Sequence, residues 1–318
     1  MKLIDAFLDD IDLRDERFRI SYHFDLEKLL LSIKRIGLVS PLVVVERKHS
    51  KYVLVSGWKR IYACRQLSLT CIPVFVLDEK EDSRVFLFSL YENLAIRTFN
   101  LLEKAEIVYK LNGHIDDEKK IVRQFFPILG IPATLAYFDI FCDIARFDPA
   151  WKKIIFEKKI PLSSLQLLVE YSPEERERLL PLILPMNLNK LRQFLEDLFY
   201  LSKKTGDSPH SILSAPKIQS MLHNDKLSAL QRADKIRSLL RTKRYPTISS
   251  WKKSFDAAIK KAELSKDVTF DSNSFFEDGE FGVTFSFRDK KAFQKRLAKL
   301  QDLLADEDLF SLFNLDLS

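Results

Sequence analysis

Apolar positions set out the chain before any motif does. In FDLEKLLLSIKRIG, Leu26, Leu29, Leu30, Ile33 and Ile36 recur at helical spacing, with Asp25 placed to cap the start and Gly37 to end it. PLVVVERKHSKYVLVSG follows, two β-branched runs around a polar turn, which predicts a hairpin. GWKRIYACRQL reads as a helix entered directly from the second strand, and CIPVFVLD as a further short strand. DSRVFLFSLYENLAIR predicts a helix, and NLLEKAEIVYKL another, with Asn100 as its N-cap and Glu103 completing a capping box. The order α-β-β-α-β-α-α describes an α/β unit over residues 1–113.

After Gly113 the strand pattern stops. Helices are predicted near 117–126, 132–145, 148–157, 161–171, 173–183 and 187–204, several starting at Pro, Ser or Asp. These make an all-helical segment over 114–204. KKTGDSPHS has linker composition, and a linker is expected over 205–215. Residues 216–318 hold basic helices, then two strands joined by a Glu-Asp-Gly turn, with Val283, Phe285 and Phe287 alternating. An amphipathic helix on Phe293, Leu297, Leu300, Leu303 and Leu304 completes this small α+β module. The expected class is therefore α+β in three parts.

Composition narrows the classes. Hydrophobic residues are 46% and charged residues 30%, a folded composition and not a disordered one. No apolar run reaches membrane-spanning length and the N-terminus lacks a signal-peptide pattern, so a cytoplasmic location and no membrane partner are expected. Cys64, Cys71 and Cys142 are widely spaced and the five histidines form no ligand pair, which argues against a disulfide framework or a zinc site. The formal net charge is +6, yet Arg232 to Lys266 alone carries eleven basic residues against Asp234, Asp256 and Glu263. Such a concentration attracts polyanions, and Arg237, Arg241, Lys243, Arg244, Lys252 and Lys253 are its candidates for DNA phosphate contact. A solvated face on two helices accounts for the same charges.

One strand-to-helix switch carries chemistry. In SGWKR, Gly57 lets backbone approach an anion, and the amides of a helix start favour phosphate. Lys59 and Arg60 add full charges, Arg60 with a fork suited to phosphate. Glu92 and Asn93 offer oxygens of the kind that join a magnesium ion to substrate phosphates. Alternatively, Lys59 and Arg60 solvate a first turn, and Glu92 and Asn93 form a polar helix end.

Four blocks in order resemble the ParB family: SIKRIGLVSPLVVV (Ser32 to Val45), YVLVSGWKRIYAC (Tyr52 to Cys64), YENLAIRTFNLLEKAEIVYKL (Tyr91 to Leu111) and, more loosely, Arg146 to Ile183. They span residues of about 10 to 200 and match the family's helix-Gly-Pro-strand opening, its Gly-Glu-Arg-Arg box, its Glu-Asn-x-x-Arg block and its following helices. The resemblance implies a ParB/sulfiredoxin-like N-terminal domain followed by a helix-turn-helix-type helical domain. It implies CTP with Mg2+ as cofactors, bound through Gly57, Lys59, Arg60, Glu92, Asn93 and Arg97, with Glu92 and Asn93 toward the metal. It further implies a nucleoid-associated homodimer that nucleotide closes around DNA, at most slow nucleoside triphosphatase turnover, and a partition ATPase as partner. The chain departs from the family at Trp58, Lys59 and Arg60, where the box reads Glu-Arg-Arg. Ser40 stands before the proline, and the family's block arginine falls on Ile96. Arg97 lies one place later, about 100° around a helix.

Lys119 to Phe147 has the outline of a helix-turn-helix with its turn at Leu129-Gly130. Its second helix opens on Pro132, Ala133, Thr134, Leu135 and Tyr137 and continues to Asp139 and Asp143, a poor set for base edges. That helix is expected to pack as core or to contact a partner. In the related sulfiredoxin fold a reactive cysteine occupies the slot held here by Trp58, so Cys64 is expected to be a buried helix residue. Phe275, Phe276, Phe281, Phe285 and Phe287 can stack bases or form sheet core. Two rival functions are a nucleotide-using enzyme on the same fold, and an interaction protein that binds no nucleotide.

Overall fold

A computed structural model describes residues 1–47, 50–261, 268–272 and 281–303. The chain falls into two compact units, Met1–Glu177 and Arg178–Ser318. The first unit is built on a five-stranded mixed sheet in the order β1-β5-β3-β4-β2. Its strands are β1 (Lys2–Phe7), β2 (Ile11–Asp12), β3 (Leu42–Arg47), β4 (Ser50–Ser56) and β5 (Cys71–Leu77). The predicted hairpin is β3 against β4, antiparallel, while β3 runs parallel to β5. The pattern did not announce β1 and β2. β1 is an edge strand whose outer positions Leu3 and Phe7 are exposed, so it lacks the inside-outside alternation that identifies a strand.

Helices cover the sheet: α1 (Glu27–Ile36), α2 (Trp58–Gln66) and α3 (Asp82–Ile96). Leu42, Val44, Leu54, Ile72 and Val74 form one core with Ile33, Trp58, Ile61 and Cys64 from α1 and α2. Val43, Val45, Val53 and Val55 are buried too, which the near-continuous apolar runs of β3 and β4 require of a sheet covered on both faces. Each such side chain contributes roughly 1.5–3 kcal/mol by leaving water. α1 starts after Leu26, and Asp25 accepts the Glu27 amide at 3.2 Å. Gly37 ends it with φ +75°.

α4 (Leu101–His114) starts at the predicted capping box, in which Asn100 Oδ1 accepts from the Glu103 amide and Glu103 Oε2 from the Asn100 amide, both at 3.0 Å. It packs against α5 (Glu118–Leu129), α6 (Leu135–Ala145) and α7 (Pro149–Lys158), and α6 packs on α8 (Leu162–Val169). α5 runs past Pro127 to Leu129, where Gly130 closes it in the left-handed region. α6 buries Phe138, Phe141, Cys142, Ile144 and Ala145 and exposes Thr134, Leu135, Ala136 and Asp139. One face is core and the other carries Leu135, Ala136 and Asp139, with Thr134 at its start. The division between the two units falls inside α9 (Pro173–Ile183).

The second unit is led by α10 (Leu188–Thr205) packed on α13 (Ala229–Arg244), with Leu191, Phe194, Leu195, Leu198, Ala233, Ile236 and Leu240 buried. Where linker composition was expected, α10 continues to Thr205 and α11 (Pro209–Leu213) follows, capped by Ser208, with Ile212 and Leu213 buried. Polar caps and helix-start prolines had given this stretch the composition of a loop. α12 (Pro216–Leu222) and α14 (Pro246–Lys261) flank α13. β6 (Val268–Ser272) and β7 (Phe281–Phe285) form the predicted hairpin, followed by α15 (Lys290–Leu303). Phe287 packs edge-on against Phe293 at 4.9 Å, with Phe285 beside both. Its Glu-Asp-Gly turn, Phe275, Phe276, Leu304 and Lys266 lie outside the described residues. No helix among the described residues is long and apolar enough to cross a membrane.

Candidate functional site

Three separated stretches of sequence meet at the C-terminal end of β4. A small cleft of about 120 Å³ there is lined by Ile20, Ser21, Ser56, Gly57, Trp58, Lys59, Arg60, Ser89, Glu92, Asn93, Ile96 and Arg97. All six residues expected to bind nucleotide, Gly57, Lys59, Arg60, Glu92, Asn93 and Arg97, are among them.

Gly57 is the N-cap of α2 with φ +104°, a conformation only glycine adopts without strain. A Cβ there would stand 2.9 Å from Leu42 Cγ and 3.3 Å from Arg60 Nε. The backbone turn and the helix start are thus set close beneath the Arg60 guanidinium. Arg60 Nη1 donates to the Pro41 carbonyl at 2.7 Å and to the Ser40 carbonyl at 3.1 Å. Arg60 Nη2 stands 3.7 Å from Glu92 Oε1. Burial pulls the Arg60 guanidinium below its ordinary value, and Glu92 opposes this.

Glu92 is held from two sides, since Ser56 Oγ donates to its Oε2 while Arg60 faces its Oε1. Asn93 Nδ2 donates to the Ser89 carbonyl at 2.9 Å, which turns Oδ1 toward Arg97 Nε at 3.0 Å. Ser89 Oγ donates to the Val55 carbonyl at 2.9 Å and ties α3 to β4 beneath the cleft. Among the described residues no group of three or more His, Cys, Asp or Glu side chains gathers to hold a metal. One carboxylate and one amide oxygen suit magnesium only when the ion brings phosphate oxygens with it.

Arg97 reaches the cleft by leaving the helix. α3 ends at Ile96, and Arg97 is extended at φ −157° and ψ 161°. The side chain folds back into the cleft while Ile96 is 72% exposed. Arg97 and Ile96 both line the cleft. Arg97 Nη1 donates to both oxygens of Glu103, at 2.8 and 2.9 Å, and Arg97 Nη2 to Ser21 Oγ at 3.0 Å. Ser21, Ser56 and Glu103 were not recognised in the sequence as site residues. Ser56 was detectable as the polar residue that ends the apolar run of residues 52–55, but Glu103 carried only its capping signature.

Trp58 belongs to the core. It is 4% exposed, packed beside Tyr62, with Arg19 over its ring at 5.2 Å. Its indole N–H has no hydrogen-bond partner among the described residues. Cys64 is fully buried in the same helix, and burial raises its thiol.

The basic segment divides in two. Arg244 Nη1 donates to the buried Asp197 Oδ1 at 2.8 Å, and its guanidinium lies over Tyr200 and Tyr245. Arg237 Nη1 donates to Gln193 Oε1 at 2.9 Å, with Asp234 beside it and Lys190 on Asp234. The basic-segment expectation includes both arginines, and the structure places both against α10. Lys243, Lys252 and Lys253 are exposed.

A mixed sheet with a left-handed glycine feeding a helix start defines an α+β domain whose cleft is lined by Lys59, Arg60, Arg97 and Glu92. Residues 11–94 match the ParB N-terminal domain. Over 104 residues the chain is 36% identical to the probable chromosome-partitioning protein ParB of Borreliella burgdorferi, covering 33% of this chain and 39% of that protein. It is 27% identical over 104 residues to a nucleoid occlusion protein of Bacillus thuringiensis, covering 32% and 36%. Among solved structures it is similar to the C-terminally truncated ParB of Caulobacter crescentus complexed with CTP-gamma-S, at 17% identity and TM-score 0.28, covering 54% of this chain and 94% of that one. The family match falls within the first unit, whose mixed sheet and covering helices are of the α+β class. The matched part spans well under half of these two curated relatives.

Proposed function

We propose that this is a ParB-type, DNA-associated protein of chromosome partitioning or nucleoid occlusion, with a nucleotide-binding switch in its first unit. The observation that carries the reading is convergence. Gly57, Lys59, Arg60, Glu92, Asn93 and Arg97 come from separate blocks yet line one cleft. CTP is the nucleotide proposed, from the family. Its phosphates would meet the α2 amides, Lys59 and Arg60. Glu92 and Asn93 would take up magnesium carried on the triphosphate, the only way two such oxygens hold it well. The bound ion would neutralise phosphate charge, while Arg60, propped on two backbone carbonyls, orients the ligand.

DNA contact is assigned to phosphate charge, through Lys243, Lys252 and Lys253 with Arg241 on α13 and α14. Arg237 and Arg244 instead hold α13 to α10. The family reading also carries a homodimer and a partition ATPase as partners, and a nucleoid-associated location.

The test is calorimetric titration of each nucleoside triphosphate with magnesium, with and without duplex DNA, on wild type and Arg60→Ala. Saturable CTP binding lost in the variant supports the switch. No binding of any nucleotide, with DNA affinity intact, overturns it. That outcome favours a second reading, an interaction protein without nucleotide, for which the small volume of the cleft speaks.

A further inference from the structure

One arginine of the cleft wall, Arg97, is already paired with a buried carboxylate behind it. Glu103 is 3% exposed, and its carboxylate accepts hydrogen bonds from three directions. Two come from Arg97 Nη1, one from the Asn100 amide that it caps and one, at 3.2 Å, from the Tyr22 amide. Arg97 directs its remaining N–H groups to Asn93 Oδ1 and Ser21 Oγ. One guanidinium therefore ties the end of α3, the start of α4 and the Ser21–Tyr22 segment to a single carboxylate. Ser21 forms part of the cleft wall, and it also borders a neighbouring cavity of about 490 Å³ lined by Tyr22, Glu106 and Lys110. As it stands the cleft is smaller than the roughly 300–1,000 Å³ of ordinary ligand pockets.

We infer that Glu103 is a specificity-determining residue of the cleft: it occupies Arg97 as an internal stand-in for phosphate, so that only a polyphosphate ligand able to outcompete a buried carboxylate takes Arg97 over. This rests on the reading of the cleft as an anion site. A ligand phosphate offers Arg97 the same two-pronged geometry as Glu103 with more charge. Once Arg97 turns to it, Glu103 loses two of its hydrogen bonds and Ser21 loses its partner. The Ser21–Tyr22 segment then loosens, and the wall between the two cavities with it. A monoanionic ligand gains too little to make the exchange.

Glu103→Gln isolates the effect, because glutamine keeps the capping box while removing the charge. The full-length chain is titrated with CTP plus magnesium and with inorganic triphosphate, as wild type, Glu103→Gln, Arg97→Gln and the double variant. Hydrogen exchange at the Tyr22 amide is followed alongside. The expected result is about tenfold tighter binding in Glu103→Gln, ~1.4 kcal/mol, lost again in the double variant. In wild type, Tyr22 exchange rises when ligand saturates. Should Glu103→Gln fail to fold, Ser21→Ala, which leaves the cap intact, is expected to tighten binding by a smaller factor. Wild-type binding with no gain in these variants, or a Tyr22 amide that stays protected with ligand bound, overturns the exchange and leaves the anion site standing. Absence of binding in every variant overturns both.

Discussion

Gly57 and Leu42 approach so closely that a single methyl group would not fit between them: a Cβ on Gly57 would lie 2.9 Å from Leu42 Cγ. Leu42 is fully buried at the start of β3, so it has no free direction in which to yield. The strand-to-helix switch is thus specified by packing as well as by its left-handed backbone.

Gly57→Ala is expected to lose stability by about 1–3 kcal/mol from backbone strain, with the clash adding to it. Chemical denaturation of the two proteins measures this. A midpoint equal to wild type would mean that the turn relaxes and that the close approach carries no weight.

Trp58 stands where the resemblance to ParB sequences implies a carboxylate, but its indole fills the core between α1, α2 and the sheet. Restoring the family residue by Trp58→Glu would bury a charge and leave a void. The expected loss is at least about 3 kcal/mol, or a pKa for the new carboxylate raised well into the neutral range. Trp58→Phe keeps most of the packing, and since the indole N–H has no partner it is expected to cost about 1–2 kcal/mol. A stable Trp58→Glu protein with improved nucleotide affinity would show that the position faces ligand instead of core.

Asp197 and Arg244 hold α10 to α13 through a pair that is 1% and 21% exposed. Asp197→Ala is expected to cost roughly 3–5 kcal/mol, because it strands a guanidinium between Tyr200 and Tyr245. On DNA, Arg244 and the lysines separate. Substituting Lys252 or Lys253 by alanine is expected to lower the slope of log affinity against log salt by about 0.9 for each phosphate no longer neutralised. Arg244→Ala is expected to lower stability while leaving that slope unchanged. Fluorescence titrations over a salt series distinguish the two. Equal slopes in all three variants would remove the phosphate role from α14.

The cleft could be read from sequence because each of its parts has a local signature: a glycine between strand and helix, two cations after it, a Glu-Asn pair on a helix. Their convergence could be expected only from the ordered resemblance, since nothing local states that Arg60 lies near Glu92. What stayed hidden depends on tertiary packing. Trp58 reads as an obstacle in the box until the core shows where the ring goes. Arg97 reads as misplaced on a helix that in fact ends one residue earlier. Charge density grouped Arg237 and Arg244 with Lys252 and Lys253, because a sequence does not show which cations have a carboxylate waiting on another helix. β1 was invisible because an edge strand with exposed Leu3 and Phe7 has no polar face to betray it.

His114 closes α4 against Phe86, with the rings 5.4 Å apart. Burial lowers its pKa, Asp82 opposing and Lys110 adding to the depression. The folded state therefore binds a proton at this site less readily than the unfolded chain, whose histidine titrates near 6.5. Its contribution to stability is complete above about pH 6.5 and is lost as pH falls through the depressed folded value. His114→Gln has no such titration, so between about pH 7 and pH 5 the variant is expected to lose less stability than wild type. Asp82 titrates lower: burial raises its carboxyl, but hydrogen bonds from Arg47 and Arg17 outweigh this and hold it below its ordinary value. The Asp82 effect thus belongs to pH below about 4, outside the His114 window. Denaturation midpoints at half-unit pH steps for both proteins decide the matter. Parallel curves from pH 7 to pH 5 would show that His114 protonates as easily in the fold as out of it.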